Sequence, residues 1–378
     1  MRILFTGGGS GGHFYPIIAI AKELTEIVKE KKLLKPDLYY MSPTDYNPSL
    51  LFENGIIYKK NSAGKLRRYF SIKNFFDFFK TGWGTLTSLI MIWRLYPDVV
   101  FGKGGYASFP ALMSAKILRI PVVIHESDTS PGIVNMWAGK FAQRIAISYP
   151  EAAKFFPAGK AVLTGNPVRE DIVVPLVDGA RDFLKLEENI PVILILGGSQ
   201  GAARINDIIM EGLPDLVKKY SIIHQTGKEK YAECLSTAEA VLYNSEFKSR
   251  YKAFDYLNPL AMRMSAGVAD IVISRAGSTI FEIAAWGIPS IIIPIPESIS
   301  HDQRTNAFSY ARAGAGEVIE EHNLTAHILI SELNRLMDFP EERERMRTNA
   351  KAFYKPNAAH EIAEEILKIA LSHEVEGD

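Results

Sequence analysis

The segment from Arg2 to Pro16, RILFTGGGSGGHFYP, constrains the fold of this chain more than any other. Its apolar run, Ile3 to Phe5, is too short for a helix and favours a strand. Glycines follow, and they permit positive φ angles that residues with side chains resist. Apolar residues then recur at helical spacing after Pro16, a residue that the first turn of a helix tolerates. The sequence therefore predicts a strand, a glycine loop and a helix.

The predicted loop gathers backbone N–H groups at the positive end of a helix dipole, where an anion or a sugar hydroxyl can approach closely. Gly7, Gly9 and Gly12 satisfy G-x-G-x-x-G, which many nucleotide-binding α/β proteins share. His13 is more informative, because an imidazole with its ordinary pKa of about 6.5 suits proton removal near neutral pH. We expect it on the loop rather than in the core. The alternative is a histidine that caps or packs the start of the helix.

Composition limits the possible classes of protein. A length of 378 residues suits two α/β domains, and a formal net charge of zero argues against nucleic acid as the main partner. Cys234 is the only cysteine, so we expect no disulfides and a reducing, cytoplasmic compartment. The first strand follows Met1 directly, and no apolar run reaches the roughly 18 residues that span a bilayer. We therefore expect no secretory signal and no membrane-crossing segment.

Two further predicted strands in the first half also end in polar or glycine residues. The strand 98–101 leads into the glycine loop 102–106, and the strand 121–124 leads into 125–128. Ligands of parallel sheets bind beyond the carboxyl ends of the strands. Three strand ends therefore predict one site in the first half of the chain.

The second half repeats the opening pattern. After a turn-rich link at 164–169, the apolar run 191–196 leads into the glycines of 197–201 and a helix from Ala202. The sequence thus predicts an α/β fold with two doubly wound, parallel-sheet domains. We expect the domains to face each other across a cleft, which suits a reaction between two substrates, one held by each half.

Seven motifs resemble, as a set and in order, those of the MurG family of GT-B glycosyltransferases, glycosyltransferase family 28. They are GGGSGGHFYP at 7–16, GKGGYASFP at 102–110, PVVIHESD at 121–128, TGNPVR at 164–169, LGGSQGAAR at 196–204, SRAGSTIFEIAAWGIPSI at 274–291 and HDQRTNAF at 301–308. The resemblance covers nearly the whole chain. It implies two Rossmann-like domains: 1–163 for the acceptor and the membrane, with the helix 357–378 packing back on it, and 164–356 for UDP-GlcNAc.

The resemblance also implies a reaction. N-acetylglucosamine would pass, with inversion, from UDP-GlcNAc to the 4-hydroxyl of the muramyl sugar of lipid I, the undecaprenyl-linked muramyl peptide. The product would be lipid II of peptidoglycan synthesis, made by a peripheral protein at the cytoplasmic face of the membrane. No metal or other cofactor is expected, because such enzymes meet the charge on the leaving diphosphate with helix N-termini.

Candidate site residues follow from the matching motifs. His13 is the predicted catalytic base, and Ser10, Gly11 and Gly12 fall where the first domain approaches the donor sugar. The predicted nucleotide-binding segment comprises Gly277, Ser278, Thr279, Ile280, Phe281 and Glu282. Its first residues open a helix whose N–H groups and hydroxyls suit phosphates, and Glu282 is placed to accept both ribose hydroxyls. A solvated carboxylate in a first helical turn is the alternative for Glu282.

Four more residues resemble further donor contacts. Ser199 lies in the second glycine loop, and Gln303 matches a glutamine that reads sugar hydroxyls. Arg169 brings a permanent positive charge to the link, or else forms a hinge salt bridge. Phe254 lies near the position that holds uracil, although a core aromatic residue is as good an interpretation.

The chain departs from the family pattern after the third predicted strand end. The family commonly has His-Glu-Gln-Asn, whereas this chain has His-Glu-Ser-Asp at 125–128. Asp128 therefore accepts hydrogen bonds where an amide would both donate and accept. We assign Asp128 to substrate binding and keep it as the reserve candidate for the base. The loop at Gly277 is also one residue shorter than the pattern.

The segment 65–83 predicts contact with an anionic membrane surface. From a predicted N-cap at Ser71, apolar residues recur at helical spacing, and aromatic and basic residues lie beside them. The apolar set is Ile72, Phe75, Phe76, Phe79, Trp83 and Leu86, the added aromatic residues are Phe70 and Phe78, and the basic residues are Lys65, Arg67, Arg68, Lys73 and Lys80. A helix lying in a lipid interface needs such a face. The alternative is the core face of a helix.

Other functions remain open from the residues. A UDP-GlcNAc 2-epimerase has similar architecture but needs no lipid-facing surface. A dehydrogenase would place an acidic residue directly after the second strand, where this chain has Ser42-Pro43-Thr44. A non-catalytic sugar-nucleotide binder would not need His13. Among transferases, another UDP-sugar-dependent glycolipid synthase, such as one that uses UDP-galactose, is the nearest alternative.

Overall fold

The computed structural model describes residues 1–8, 10–64, 72–197, 202–297 and 301–375. The strands, numbered along the chain, are β1 Arg2–Thr6, β2 Asp37–Ser42, β3 Ile56–Lys60, β4 Val99–Gly102, β5 Val122–Glu126, β6 Arg144–Ile147, β7 Ala161–Leu163, β8 Val192–Leu196, β9 Ser221–Gln225, β10 Tyr251–Phe254, β11 Ile271–Ser274, β12 Ser290–Ile292 and β13 Glu317–Val318.

The α-helices are α1 Gly11–Glu30, α2 Pro48–Glu53, α3 Ile72–Leu95, α4 Phe109–Ile117, α5 Ile133–Ala138, α6 Glu170–Val173, α7 Ala180–Leu184, α8 Ala203–Lys219, α9 Tyr231–Val241, α10 Pro259–Val268, α11 Thr279–Trp286, α12 His301–Arg312, α13 Ala326–Asp338, α14 Pro340–Phe353 and α15 Ala358–Val375. The chain divides into two compact units: Met1–Arg169 with Lys355–Asp378, and Glu170–Tyr354. The sequence placed these boundaries at 163/164 and 356/357, so the link 164–169 lies in the first unit.

The first unit is built on a parallel sheet with the strand order β3-β2-β1-β4-β5-β6-β7. Alternate residues of each strand face opposite layers, because successive side chains of a strand point to opposite faces. Ile3 and Phe5 pack with α1 and α15, whereas Leu4 packs with residues of α3, α4 and α5. The last helix therefore completes a layer of the first unit.

The second unit repeats this topology with the order β10-β9-β8-β11-β12-β13. Its central strands β8 and β11 are buried along their whole length, as expected of a parallel sheet that is covered on both faces. Helices α8, α9 and α13 contribute to a core with Ile193, Ile195 and Ile271 on one face. Both units thus have the doubly wound order in which the first strand lies between the second and fourth, and the prediction of two Rossmann-like domains is confirmed.

The start of the first helix differs from the prediction. We expected the helix to begin near Pro16, but α1 begins at Gly11, and Pro16 lies inside it. Gly11 and Gly12 adopt the helical conformation, and an added Cβ at Gly11 would come within 2.8 Å of the Tyr46 hydroxyl. Part of the predicted glycine loop is therefore the first helical turn.

Candidate functional site

The carboxyl end of β1 leads through Gly7 and Gly8 to the first turn of α1, where His13 lies. The prediction that His13 lies on a loop is wrong, because the helix already begins at Gly11 and includes Gly12. Ser10 precedes the helix, and its backbone oxygen accepts the N–H groups of His13 (3.1 Å) and Phe14 (3.3 Å). The first turn thus fixes the backbone that carries the imidazole.

The imidazole of His13 has a defined orientation. Its Nδ1 lies 2.9 Å from Oγ of Ser10, and its Nε2 lies 3.3 Å from the position that a Cβ of Gly105 would take. Gly105 has a φ of 75°, so a side chain there would be strained as well as crowded. When Nδ1–H donates to Ser10, the lone pair of Nε2 is left to accept a proton beside the second glycine loop.

The electrostatic surroundings keep His13 neutral. Burial and the positive charge of Lys103 lower the pKa of His13 to about 4. Both causes act in the same direction, because an imidazolium is penalised by desolvation and by a nearby cation. His13 is therefore in its proton-accepting form at neutral pH.

Lys103 and Glu126 form a buried polar group that the sequence analysis missed. Lys103 is 1% exposed, and no hydrogen-bond partner of its Nζ lies among the described residues. Glu126 is 4% exposed and accepts hydrogen bonds from the N–H of Asp128 (2.9 Å), the N–H of Gly132 (3.1 Å) and Nδ2 of Asn135 (3.0 Å). The sequence offered one indication of these two residues: Lys103 lies in the second glycine loop and Glu126 in the His-Glu motif, each at the end of a predicted strand.

Burial shifts both of these groups toward neutrality. The pKa of Lys103 is lowered to about 8 by burial, against which the carboxylates of Glu126 and Asp128 act. The pKa of Glu126 is raised to about 7 by burial and then by the charge of Asp128. Titratable groups with such shifts at a strand end are typical of a functional site.

Arg169 belongs to this region of the first unit. Its guanidinium carbon lies 4.0 Å from the ring centroid of Tyr15, a cation–π contact. The rings of Tyr15 and Tyr46 meet edge to face at 5.9 Å, next to Gly11. The link residue is thus held against the start of α1 by an aromatic contact.

In the second unit, the segment from Gly277 to Glu282 spans the start of α11. Ser278 precedes the helix, and Thr279 is its first residue. Ile280 and Phe281 are buried, at 0% and 3% exposed, and their N–H groups donate to the backbone oxygens of Gly277 and Ser278. Their side chains therefore serve the core, while the turn from Gly277 to Thr279 and the half-buried Glu282 stay candidates for ligand contact.

Gln303, in the first turns of α12, lies beside this segment. Its Nε2 is 3.8 Å from the position of a Cβ at Gly277, and its Oε1 accepts the N–H of Ile295 at 3.4 Å. Two residues that the sequence did not single out fix the surroundings. Asn306, 1% exposed, donates to the backbone oxygen of Ala276 (3.2 Å), and Arg275 pairs with Glu321 and donates to the backbone oxygens of Ile293 and Pro294.

One predicted donor contact lies elsewhere, and another is not described. Phe254 ends β10 and is half-buried, and its backbone oxygen accepts the N–H of Thr226 at 2.9 Å. Ser199 lies outside the described residues. The structure therefore brings Gly277 and Gln303 together, and it places Phe254 at the end of a different strand of the same sheet.

Helix α3 is oriented with its large apolar residues outward. Phe79, Trp83, Leu86, Ile90 and Trp93 are 45–64% exposed and recur at intervals of four and three residues. Its inner face carries smaller side chains, because Gly84 is buried against the backbone of Ser62, and Ser88 and Ile92 are 0% exposed. The described part of this stripe is thus not a core face. Side chains from Lys65 to Phe76 lie outside the structural description.

In the described part of the chain, no group of three or more His, Cys, Asp or Glu side chains is placed to hold a metal ion. No helix in these residues combines the length and apolarity that a membrane span requires.

Comparison with known proteins gives matches along nearly the whole chain. Residues 3–147 match the glycosyltransferase family 28 N-terminal domain, and residues 192–364 match the glycosyltransferase family 28 C-terminal domain. The UDP-N-acetylglucosamine–N-acetylmuramyl-(pentapeptide) pyrophosphoryl-undecaprenol N-acetylglucosamine transferase of Treponema denticola is 36% identical over 371 residues, which cover 93% of this chain and 92% of the relative.

Solved structures share the fold. A crystal structure of Acinetobacter baumannii MurG has a TM-score of 0.72 at 24% identity and covers 97% of this chain and 99% of that chain. The UDP-GlcNAc 2-epimerase of Neisseria meningitidis, bound to UDP-GlcNAc, has a TM-score of 0.67 at 16% identity and covers 97% and 100%. Because both enzyme classes have this architecture, the fold by itself does not choose between them.

Proposed function

Because the chain belongs to glycosyltransferase family 28, we propose that it transfers N-acetylglucosamine from UDP-GlcNAc to the 4-hydroxyl of the muramyl sugar of lipid I, with inversion, to form lipid II. The observation that carries the proposal is the near full-length similarity to a transferase named for these substrates. The epimerase alternative has no such support, since its solved example is similar only in fold.

The first unit supplies the base in this proposal. His13 is neutral, its Nδ1 is engaged by Ser10, and its Nε2 faces a glycine that leaves room for a hydroxyl. As the sugar oxygen attacks the anomeric carbon, Nε2 takes its proton, so that negative charge does not build up on the nucleophile. Ser10, Gly11 and Gly12 form the backbone that lets the substrates approach the imidazole.

The second unit supplies the donor site. The turn from Gly277 to Thr279 offers N–H groups and hydroxyls at the start of α11, which suits the diphosphate that leaves with UDP. Glu282 lies within the first turn, where its carboxylate accepts the ribose hydroxyls. Gln303 beside Gly277 reads the sugar, and Phe254 and Ser199 complete the proposed donor contacts. Arg169 and Asp128 are the further proposed substrate contacts, and both belong to the first unit.

The outer face of α3 is the proposed membrane contact. Soluble proteins rarely expose a continuous row of large apolar side chains, and this row spans 15 residues, roughly 21 Å of helix. Lys80 and Arg94 are exposed on the same helix, and the basic residues around Arg67 precede this helix in the sequence. A peripheral contact with an anionic bilayer at the cytoplasmic face would bring the enzyme to its lipid-linked acceptor.

The test is incubation with UDP-GlcNAc radiolabelled in the sugar, with and without lipid I. We expect label in a lipid-extractable product only when lipid I is present, and little product from labelled UDP-galactose or UDP-glucose. The epimerase alternative predicts conversion of UDP-GlcNAc to its 2-epimer without lipid I. Epimer formation with no labelled lipid would reject the proposal.

A further inference from the structure

Tyr15 has no role in the site as proposed so far, yet its ring contacts two parts of it. The guanidinium carbon of Arg169 lies 4.0 Å from the ring centroid. The ring also lies against the first turn of α1, because a Cβ at Gly11 would come within 3.0 Å of its Cε2 and 3.2 Å of its Cδ2. Residues four apart in a helix share one face, and their side chains lean toward the helix start. The ring of Tyr15 therefore joins the turn that carries His13 to the guanidinium.

Neighbouring aromatic side chains hold the ring of Tyr15 in one orientation. It meets the ring of Phe14 at 5.7 Å and that of Tyr46 at 5.9 Å, both edge to face. Phe14 is 0% exposed and also contacts Tyr40 edge to face at 5.7 Å. Such edge-to-face pairs are a favourable geometry for aromatic rings. The ring face that Arg169 contacts thus belongs to a packed cluster on the core of the first unit.

The chain before Arg169 is held through its backbone. The N–H groups of Thr164 and Gly165 both donate to the backbone oxygen of Ile147 at 3.1 Å, and the oxygen of Gly165 lies 3.0 Å from Nε2 of His125. Burial then decreases along the link, since Thr164 and Gly165 are buried and Arg169 is half-buried. A long arginine side chain has large rotamer freedom. These backbone contacts therefore place Arg169 in the chain, whereas the contact with Tyr15 acts on the guanidinium itself.

The chemistry of this contact suits a residue that binds an anion. A carboxylate in the place of the ring would take up guanidinium N–H donors and cancel the positive charge. The face of an aromatic ring attracts a cation without doing either. The contact with Tyr15 therefore orders the guanidinium while keeping the charge and the in-plane donors with which arginine binds phosphate and carboxylate groups.

We propose that Tyr15 is a positioning residue for Arg169: its ring, resting on the first turn of α1 at Gly11, holds the guanidinium in the place where it meets an anionic group of the substrate. A side chain that is ordered before binding loses less conformational entropy when the ligand arrives. The inference rests on the proposed function, in which Arg169 contacts the substrates. Tyr15 itself contacts no reacting atom in this role.

The main test is a double-mutant cycle on the Kd of UDP-GlcNAc, measured by calorimetry. Tyr15→Leu removes the aromatic face and keeps an apolar side chain, and should weaken binding roughly fivefold. Arg169→Met removes the charge and should weaken binding about tenfold or more. Because Tyr15 acts through Arg169, the double variant should bind like Arg169→Met alone.

Two further variants separate positioning from a structural role. Tyr15→Phe keeps the ring face and should bind UDP-GlcNAc as the parent does. Phe155→Leu is the matched control, because it breaks another cation–π contact of the first unit, in which Nζ of Lys154 lies 5.0 Å from the ring centroid. It should leave the Kd unchanged. Thermal unfolding of each variant checks that it is folded at the assay temperature.

The position of the guanidinium is measured without any ligand by NMR of protein with isotope-labelled arginine. The Nε–H signal of Arg169 is assigned by its loss in Arg169→Met. A proton over the face of an aromatic ring is shifted upfield by the ring current, so the parent and Tyr15→Phe should show this shift. In Tyr15→Leu the signal should move to the range of an unstacked arginine.

The outcomes separate this role from the proposed function. Multiplied losses in the double variant, binding by Tyr15→Phe as weak as that of Tyr15→Leu, or unchanged binding in Arg169→Met would each reject the role of Tyr15. If the parent binds UDP-GlcNAc but makes no lipid product, the proposed function fails and the cycle still decides the role of Tyr15. A parent that does not bind UDP-GlcNAc would overturn both. Should Tyr15→Leu fail to fold, Tyr15→Met, which also lacks an aromatic face, takes its place.

Discussion

The two units have the same strand order but present different chemistry at the ends of their strands. In the first unit, β1, β4 and β5 lead to His13, Lys103 and Glu126, buried or partly buried groups whose pKa values are shifted toward neutral forms. In the second unit, the equivalent region of β11 leads to Gly277, Ser278 and Thr279, which offer backbone N–H groups and hydroxyls.

This difference indicates how one topology serves two substrates. Proton transfer needs a titratable group in a controlled environment, whereas holding a diphosphate needs many fixed donors and little titration. The units also differ outside their sites, because the first carries the exposed aromatic row of α3. Under the proposed function, the first unit takes the acceptor, the proton and the lipid surface, and the second unit takes the nucleotide.

The largest expected effect concerns proton transfer in the first unit. His13→Ala should lower kcat by roughly 10²–10⁴, because loss of the base acts in the transition state, while the Kd of UDP-GlcNAc stays within a few-fold. Steady-state kinetics with lipid I and calorimetry with UDP-GlcNAc measure the two quantities. Near-normal turnover would move the proton to another group, with Asp128 as the first candidate.

The next effect concerns the lipid surface. Trp83→Ser with Trp93→Ser removes two side chains that are each 64% exposed, and should weaken binding to phosphatidylglycerol vesicles by roughly 100-fold. Tyr243→Ser, which removes an aromatic residue that is 80% exposed in the second unit, is the matched control and should bind as the parent does. Co-sedimentation with the vesicles, at two salt concentrations, measures the binding of both variants. Equal losses in the two variants would contradict a membrane face on α3.

A smaller effect tests the nucleotide side. Glu282→Ala removes charge-assisted hydrogen bonds to the ribose, each worth about 1.5–3 kcal/mol, so the affinity for UDP should fall tenfold or more. Calorimetry with UDP alone isolates this contact from the sugar and the acceptor. If Glu282→Ala binds UDP as tightly as the parent, Glu282 is only a carboxylate suited to a first helical turn.

The smallest expected change is in the pH dependence of kcat/KM, which should be weak. A base whose pKa is lowered to about 4 is neutral above that pH, so kcat/KM should change less than about twofold between pH 6.5 and 5.0. A histidine with its ordinary pKa would instead lose about tenfold or more of its neutral form over that range. Circular dichroism at pH 5.0 confirms that the enzyme is folded. A tenfold fall would show that the surroundings of His13 do not hold its pKa down.

The fold was predictable because its signals are local. Short apolar runs followed by glycines predicted the strands of both sheets, and the repeat of this pattern at Gly197 predicted the second domain. The start of α1 was not, because Gly11 and Gly12 are compatible with either a loop or a helix, and the structure places both in the helix. Glycine permits many conformations, so it does not identify one.

Site residues were predictable where they belong to a recognisable motif. They were not predictable where only their burial in the folded chain distinguishes them. His13 and the segment at Gly277 follow from motifs. The burial of Lys103 depends on three strands coming together, and lysine by itself predicts a surface position. For α3, periodicity finds the apolar face but not its direction. The small residues Gly84 and Ser88 on the opposite face were the available signal that the aromatic side faces outward.

The most direct test of the division of labour measures His13→Ala and Glu282→Ala side by side, each for the Kd of UDP-GlcNAc and for kcat at saturating donor with lipid I. The account predicts that His13→Ala loses kcat by 100-fold or more with nearly unchanged Kd, and that Glu282→Ala loses affinity with kcat within a few-fold. Loss of nucleotide affinity in His13→Ala, or a 100-fold loss of saturated kcat in Glu282→Ala, would contradict it.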